Sequence, residues 1–131
     1  MNYESRKKYL GIDWGEARIG LALADSETKI ATPFKVVGSL SEVLNLITEE
    51  KIDVAIVGKP VSIADYKLQI KNDKFNDFLK NLEQRSGVKV ELVDERLTSK
   101  AADALPGGKK TKASRDAISA MLILQTYLDK L

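Results

Sequence analysis

Apolar and polar positions along the chain first follow a short-strand pattern and then switch to a helical one. Lys8 to Trp14 is a β-like run ending in Asp13-Trp14-Gly15, and Ile19 to Ala24 is a second, with Gly20 inside it. The polar turn Asp25-Ser26-Glu27-Thr28 follows. Ile30 to Val37 reads as a third strand interrupted by Pro33, which predicts an edge strand or a bulge. Short connections between the three predict an antiparallel meander.

The period then lengthens. Val43, Leu44, Leu46 and Ile47 fall in helical register within Ser41 to Glu50, with Ser39 or Ser41 as the cap. Asp53 to Gly58 is a continuous apolar run, the mark of a buried parallel strand. Lys59 to Asp65 reads as a loop. Leu68, Phe75, Phe78, Leu79 and Leu82 form a stripe over Lys67 to Ser86, stopped by Gly87. Val88 to Val93 alternates as a strand and closes on Asp94-Glu95-Arg96. A short helix over Ser99 to Leu105, a break at Pro106-Gly107-Gly108, a basic loop and a last helix from about Ala113 to Leu128 complete the chain. The order is β-β-β-α-β-α-β-α, with a small extra helix late on. Crossovers between parallel strands are right-handed. Residues 1–131 therefore form one mixed-sheet α/β domain without repeats or linkers.

Composition narrows the chemistry more than the fold. The 131 residues include no Cys and no His, which removes disulfides, thiolate zinc sites, Cys nucleophiles, imidazole ligands and His bases. What remains is carboxylate, Lys, Ser/Thr or Tyr chemistry, or a hard metal held by carboxylates. Net charge is +2, too balanced to mark a nucleic-acid binder by itself. The N-terminus is charged and no apolar run approaches the ~18 residues needed to span a bilayer, so a cytoplasmic protein without membrane contact is expected.

In open α/β sheets functional residues gather beyond the carboxyl ends of the parallel strands. Asp13, Gly58-Lys59-Pro60 and Asp94-Glu95 all fall at such ends. Asp116 lies in the first turn of the last helix, whose Ala113, Asp116, Ala117, Ala120 and Leu124 make a face suited to close approach. A lone strand-end Asp more often serves as a turn or cap residue, and an acid near a helix start complements the macrodipole. Convergence is what changes their meaning. Carboxylates brought together repel, and a divalent cation relieves that repulsion. Mg²⁺ and Mn²⁺ prefer oxygen ligands, and two such ions about 3.5–4 Å apart clamp the attacking and leaving oxygens of a phosphodiester.

Lys109, Lys110, Lys112 and Arg115 crowd into seven positions before Asp116. Such a run is commonly just a solvated loop, but beside a carboxylate-metal site it suits contacts to backbone phosphates. Arg18 and Arg96 lie near Asp13 and Glu95 in sequence and are further candidates for holding phosphate. Trp14 at a strand end reads more readily as core than as a base-stacking platform.

The chain resembles the YqgF family, also called RuvX, of Holliday-junction resolvases and pre-16S ribosomal RNA nucleases. The resemblance covers nearly the whole chain. It rests on Leu10-Gly11-Ile12-Asp13-Trp14-Gly15 with Arg18-Ile19-Gly20-Leu21-Ala22, on Ile56-Val57-Gly58-Lys59-Pro60, and on Val93-Asp94-Glu95-Arg96-Leu97-Thr98-Ser99. The fourth motif is Asp116-Ala117-Ile118-Ser119-Ala120 and its continuation to Leu128. The resemblance implies an RNase H-like fold, a five-stranded mixed sheet of order 3-2-1-4-5 with strand 2 antiparallel and helices on both faces. It also implies a metal-dependent site with Asp13, Glu95 and Asp116 as ligands of Mg²⁺ or Mn²⁺. The implied activity is endonucleolytic, on structured RNA such as pre-16S ribosomal RNA or on branched DNA, by a monomer or homodimer. Departures lie in the loops: Lys59 replaces the usual apolar residue, Val61 to Asp65 lacks glycine, and the loop before the last helix is shortened.

Two other readings compete with a nuclease. Asp-x-Gly after a first strand also serves nucleotide-binding proteins of the actin and sugar-kinase type, but those need two lobes and this length supplies one. A catalytically idle RNA-binding or ribosome-assembly factor would keep the same fold and acids.

Overall fold

The computed structural model describes residues 6–59, 67–94 and 112–131, with side chains described outside 67–73 and 112–114. Five strands, β1 (Lys8–Asp13), β2 (Ile19–Asp25), β3 (Thr32–Val37), β4 (Val54–Lys59) and β5 (Lys89–Asp94), form one sheet. Its order is β3-β2-β1-β4-β5, with β2 antiparallel to β1 and β3, and β4 parallel to both β1 and β5. Three helices, α1 (Leu40–Glu49), α2 (Lys67–Ser86) and α3 (Lys112–Asp129), pack on it. The expected order and the antiparallel meander are both present. The extra helix expected over Ser99 to Leu105 and the Lys59 to Asp65 loop beyond Lys59 lie outside the described residues.

Strand alternation sends side chains to two different cores. Leu10 and Ile12 of β1, Leu21 of β2 and Ala55 and Val57 of β4 meet Val43, Leu46 and Ile47 of α1 and Phe75, Phe78 and Leu82 of α2. The opposite face carries Tyr9, Ala22, Ala24, Val54, Ile56 and Val93, which meet Ala120, Ile123, Leu124 and Leu128 of α3. Burying one such Leu or Ile fully contributes about 1.5–3 kcal/mol. Both faces of β1 and β4 are covered, which explains why β4 reads as a continuous apolar run.

The second face is built from small residues, and α3 lies close to it. A Cβ added at Gly11 would come within 2.7 Å of the Ala120 carbonyl oxygen. At Gly20 it would fall on the carbonyl of Asp116. Glycine is required at both positions by backbone approach rather than by dihedral angle.

Element ends follow local hydrogen bonding. Ser39 caps α1, its Oγ accepting from the Glu42 N–H at 3.3 Å, while Glu42 Oε2 accepts from Gly38 N–H at 2.6 Å. β3 begins at Thr32 rather than Ile30, because the Gln125 side chain takes over the backbone there. Gln125 Oε1 accepts from Ala31 N–H at 2.9 Å and its Nε2 donates to the Lys29 carbonyl at 3.0 Å. Pro33 sits on the edge strand beside a register shift at Leu21/Ala22, in line with the sequence. α3 is described from Lys112 and carries no acid in its first turn, so Asp116 falls just beyond it.

Asp25 closes the β2–β3 turn. Its Oδ1 accepts from Thr28 N–H at 2.8 Å and Glu27 N–H at 3.0 Å, and its Oδ2 from Arg6 Nη2 at 3.0 Å. The Thr28 backbone donor, with Arg6 beside it, lowers its pKa to about 2.

Two outcomes are expected. Gly20→Ala should lower unfolding free energy by at least about 2 kcal/mol in urea denaturation, since the atom it meets is backbone and has no rotamer to escape into. A depressed carboxyl pKa adds stability above its unfolded value near 3.9 and loses it as pH falls toward the folded value. The stability gap between wild type and Asp25→Asn should therefore be open at pH 6 and narrow below about pH 4. A gap that stays constant to pH 3 would contradict this account of the turn.

Candidate active site

Asp13 is the last residue of β1 and is half-buried. Alternation puts it with Tyr9 and Gly11 on the α3 side of the sheet. Its antiparallel Cα partner is Gly20, the residue against which the Asp116 carbonyl packs. Partners across such a pair stand about 4.5–5.5 Å apart. Asp13 and Asp116 thus occupy one corner, each a neighbour of Gly20, although 103 positions (116 − 13) separate them in the chain.

The Trp14–Arg18 segment joining β1 to β2 borders this corner. Arg18 Nε donates to Asp116 Oδ2 at 2.8 Å. Trp14 lies on the other side of the sheet, 5.7 Å from the Phe75 ring in an edge-to-face arrangement and 6.2 Å from Phe78. It is core, as expected from sequence. Lys74 Nζ reaches Glu16 Oε2 at 3.4 Å, so the loop is tied to α2 by an ion pair as well as by an aromatic cluster.

The third acid expected at the site, Glu95, lies outside the described residues, as do Arg96, Lys109 and Lys110. β5 ends at Asp94, which pairs with Lys59 of β4. Lys112 opens α3, and Arg115 is exposed on the helix next to Asp116. Of the six expected phosphate contacts, Arg18 and Arg115 are described with their side chains at this corner.

The described donors are carboxylate oxygens, the kind that hard divalent cations bind. Among the described residues no set of three acids forms a metal cluster. Asp13 and Asp116 supply two carboxylates, and Arg18 is ion-paired to the second.

Sequence reasoning noted Gly20 inside a strand but gave it no role, and it passed over the Glu16–Lys74 pair. Gly20 had a readable signal, because glycine inside a strand marks close backbone approach. Glu16 and Lys74 are 58 residues apart with no pattern linking them.

A cleft of about 490 Å³ elsewhere is lined by Arg6, Lys8, Asp25, Lys51 and Asp53, where β1 and β4 begin and β2 ends. Its charges are largely engaged already, through Arg6–Asp25, Lys8–Glu50 and the Lys8 N–H on Asp53. It stands at the far end of β1 from Asp13. Among the described residues no helix is long and apolar enough to cross a membrane.

Comparison with known proteins places this geometry in a family. A family model described as RuvX, Holliday junction resolvase, matches residues 7–130. A protein of Maridesulfovibrio salexigens, provisionally named pre-16S rRNA nuclease, is 35% identical over 92% of this chain and 97% of its own length. One of Bifidobacterium adolescentis with the same provisional name is 37% identical over 93% of this chain and 97% of its own length. Among solved structures, Thermus thermophilus RuvC in complex with a Holliday junction substrate covers 95% of this chain, and the match takes in 94% of RuvC. Its TM-score is 0.65 at 15% identity. The fowlpox virus resolvase with Holliday junction DNA covers 94% of this chain, with 97% of its own length matched, at TM-score 0.59 and 16% identity. These structures share the fold, a resolvase-type RNase H-like sheet. From the identity and coverage of its relatives and the span of the matching family model, the chain belongs to the RuvX family.

Proposed function

We propose that the chain is a metal-dependent nuclease that hydrolyses phosphodiester bonds in the precursor of 16S ribosomal RNA. The observation that carries this reading is the meeting of Asp13 and Asp116 around Gly20, at the carboxyl end of β1. Family membership adds weight, since relatives alike over nearly their whole length carry a pre-16S rRNA nuclease name. The alternatives of an idle assembly factor and an actin-like nucleotide binder are not favoured by these relatives.

In this reading Asp13, Asp116 and Glu95 hold Mg²⁺ or Mn²⁺. When bound, such an ion supplies a Lewis acid for the phosphoryl oxygens and makes water acidic enough to attack at neutral pH. The chain's own residues do the rest. Asp13, fixed at a strand end and backed by Trp14 in the core, aims a carboxylate at a set point. Asp116, seated through its backbone on Gly20, brings a second from the helix. Arg115 and the lysines at 109, 110 and 112 attract the phosphate backbone toward the acids.

Cleavage of a pre-16S rRNA fragment, set beside a four-way DNA junction and with and without Mn²⁺, is the direct test. Wild type should cut the RNA only with the metal. Asp13→Asn and Asp116→Asn should each lose at least about 100-fold in rate while retaining a wild-type circular dichroism spectrum. Preferential cutting of the junction would move the substrate to branched DNA. Undiminished metal-dependent cleavage by Asp13→Asn would remove the site assignment.

A further inference from the structure

Among the described residues, Arg18 is held by a single nitrogen. It ends the tight Trp14–Arg18 loop, in which a Cβ at Gly15 would come within 2.8 Å of the Arg18 carbonyl oxygen. Its Nε alone meets Asp116 Oδ2, so the contact leaves Nη1 and Nη2 out. The Arg18 side chain is 45% exposed and that of Asp116 27%.

An ion pair this open to water contributes little to stability. The helix that carries Asp116 is in any case already seated by backbone contact at Gly11 and Gly20. Bracing the fold is therefore a poor account of the pair. A guanidinium carries five N–H donors in one rigid plane and matches phosphate geometry along an edge. With Nε committed to Asp116, the remaining edge can donate to a second anion arriving from solvent.

We propose that Arg18 is a positioning residue whose one guanidinium bridges the Asp116 carboxylate and a phosphate of the nucleic acid. This rests on the nuclease reading and goes beyond it: the bridge sets the register of the sugar-phosphate backbone against the acids. The planar fork of the arginine is what lets one side chain hold both anions. Lysine cannot replace it, since an ammonium is a point charge without a planar fork. The bridge also has an opposite effect on metal. A fixed positive charge beside Asp116 opposes a second cation there, so removing it weakens nucleic-acid binding while tightening divalent binding.

The test compares Arg18→Met and Arg18→Lys. In an Asp13→Asn background, where cleavage is blocked, binding of a labelled pre-16S rRNA fragment is followed by anisotropy across a series of salt concentrations. Arg18→Met should weaken binding about tenfold and reduce the slope of log K against log salt by about 1. In the cleaving chain, Arg18→Lys should keep KM near wild type but lower kcat at least about tenfold. Calorimetric titration of Mn²⁺ without nucleic acid should show binding to Arg18→Met tightened by about 2–5-fold. Thermal midpoints of both variants should stay within about 2 °C of wild type.

An unchanged salt slope in Arg18→Met, or wild-type kcat in Arg18→Lys, overturns the bridge. A midpoint that drops by more than about 5 °C with the slope unchanged makes Arg18 a structural brace instead. Weakened Mn²⁺ binding in Arg18→Met also counts against it. Failure of the nuclease reading looks different: cleavage that survives Asp13→Asn, or none by wild type in any metal, with the salt-slope comparison still open to measurement.

Discussion

The contact on which the molecule depends most is the backbone-to-backbone approach of α3 to the sheet at Gly11 and Gly20. Side-chain packing tolerates exchange, because one apolar group can be traded for another of similar volume. A carbonyl against a glycine Cα has no such latitude. The helix can take only one height above β1 and β2, and that height decides where Asp116 stands relative to Asp13. Ala117 and Ala120 keep the helix side of the contact thin, while Ile123, Leu124 and Leu128 anchor its later turns in the core. Fold stability and site geometry are thus the same interaction viewed from two ends of one helix.

Two carboxylates gathered at one corner repel each other unless a counter-charge offsets them. Asp13 and Asp116 are brought together by hydrophobic and steric packing, not by any attraction of their own. Arg18 offsets part of that charge from an exposed position, where its contribution to stability is small. Carboxylates gathered at one corner by packing are a pattern expected of a functional site.

Much of this architecture was legible from residue periodicity. The buried central strands announced themselves through Asp53 to Gly58, and Pro33 marked an edge strand. The sheet order came from family resemblance, since spacing alone does not say which neighbour β4 takes. Where reading failed, a distant residue had intervened. Ile30 and Ala31 look like strand, but Gln125, some 95 positions later, claims the Ala31 N–H and the Lys29 carbonyl on either side of Ile30. Asp116 looked like a first-turn acid because the start of α3 depends on Lys112, whose helical state nothing apolar announces. The candidate acids Asp13 and Asp116 could be named one by one. That they share Gly20 as a neighbour is a fact of register and helix height, and neither is written in local sequence.

Trp14 is the chain's single tryptophan, and it adjoins Asp13 while its ring is wedged against Phe75 and Phe78 of α2. All indole emission from this protein therefore originates one residue from the candidate ligand. The surroundings of that ring are set by the loop on one side and by a helix tied to it through Glu16 and Lys74 on the other. The protein carries a built-in optical label at the place where its chemistry is proposed to occur, requiring neither engineered probe nor dye.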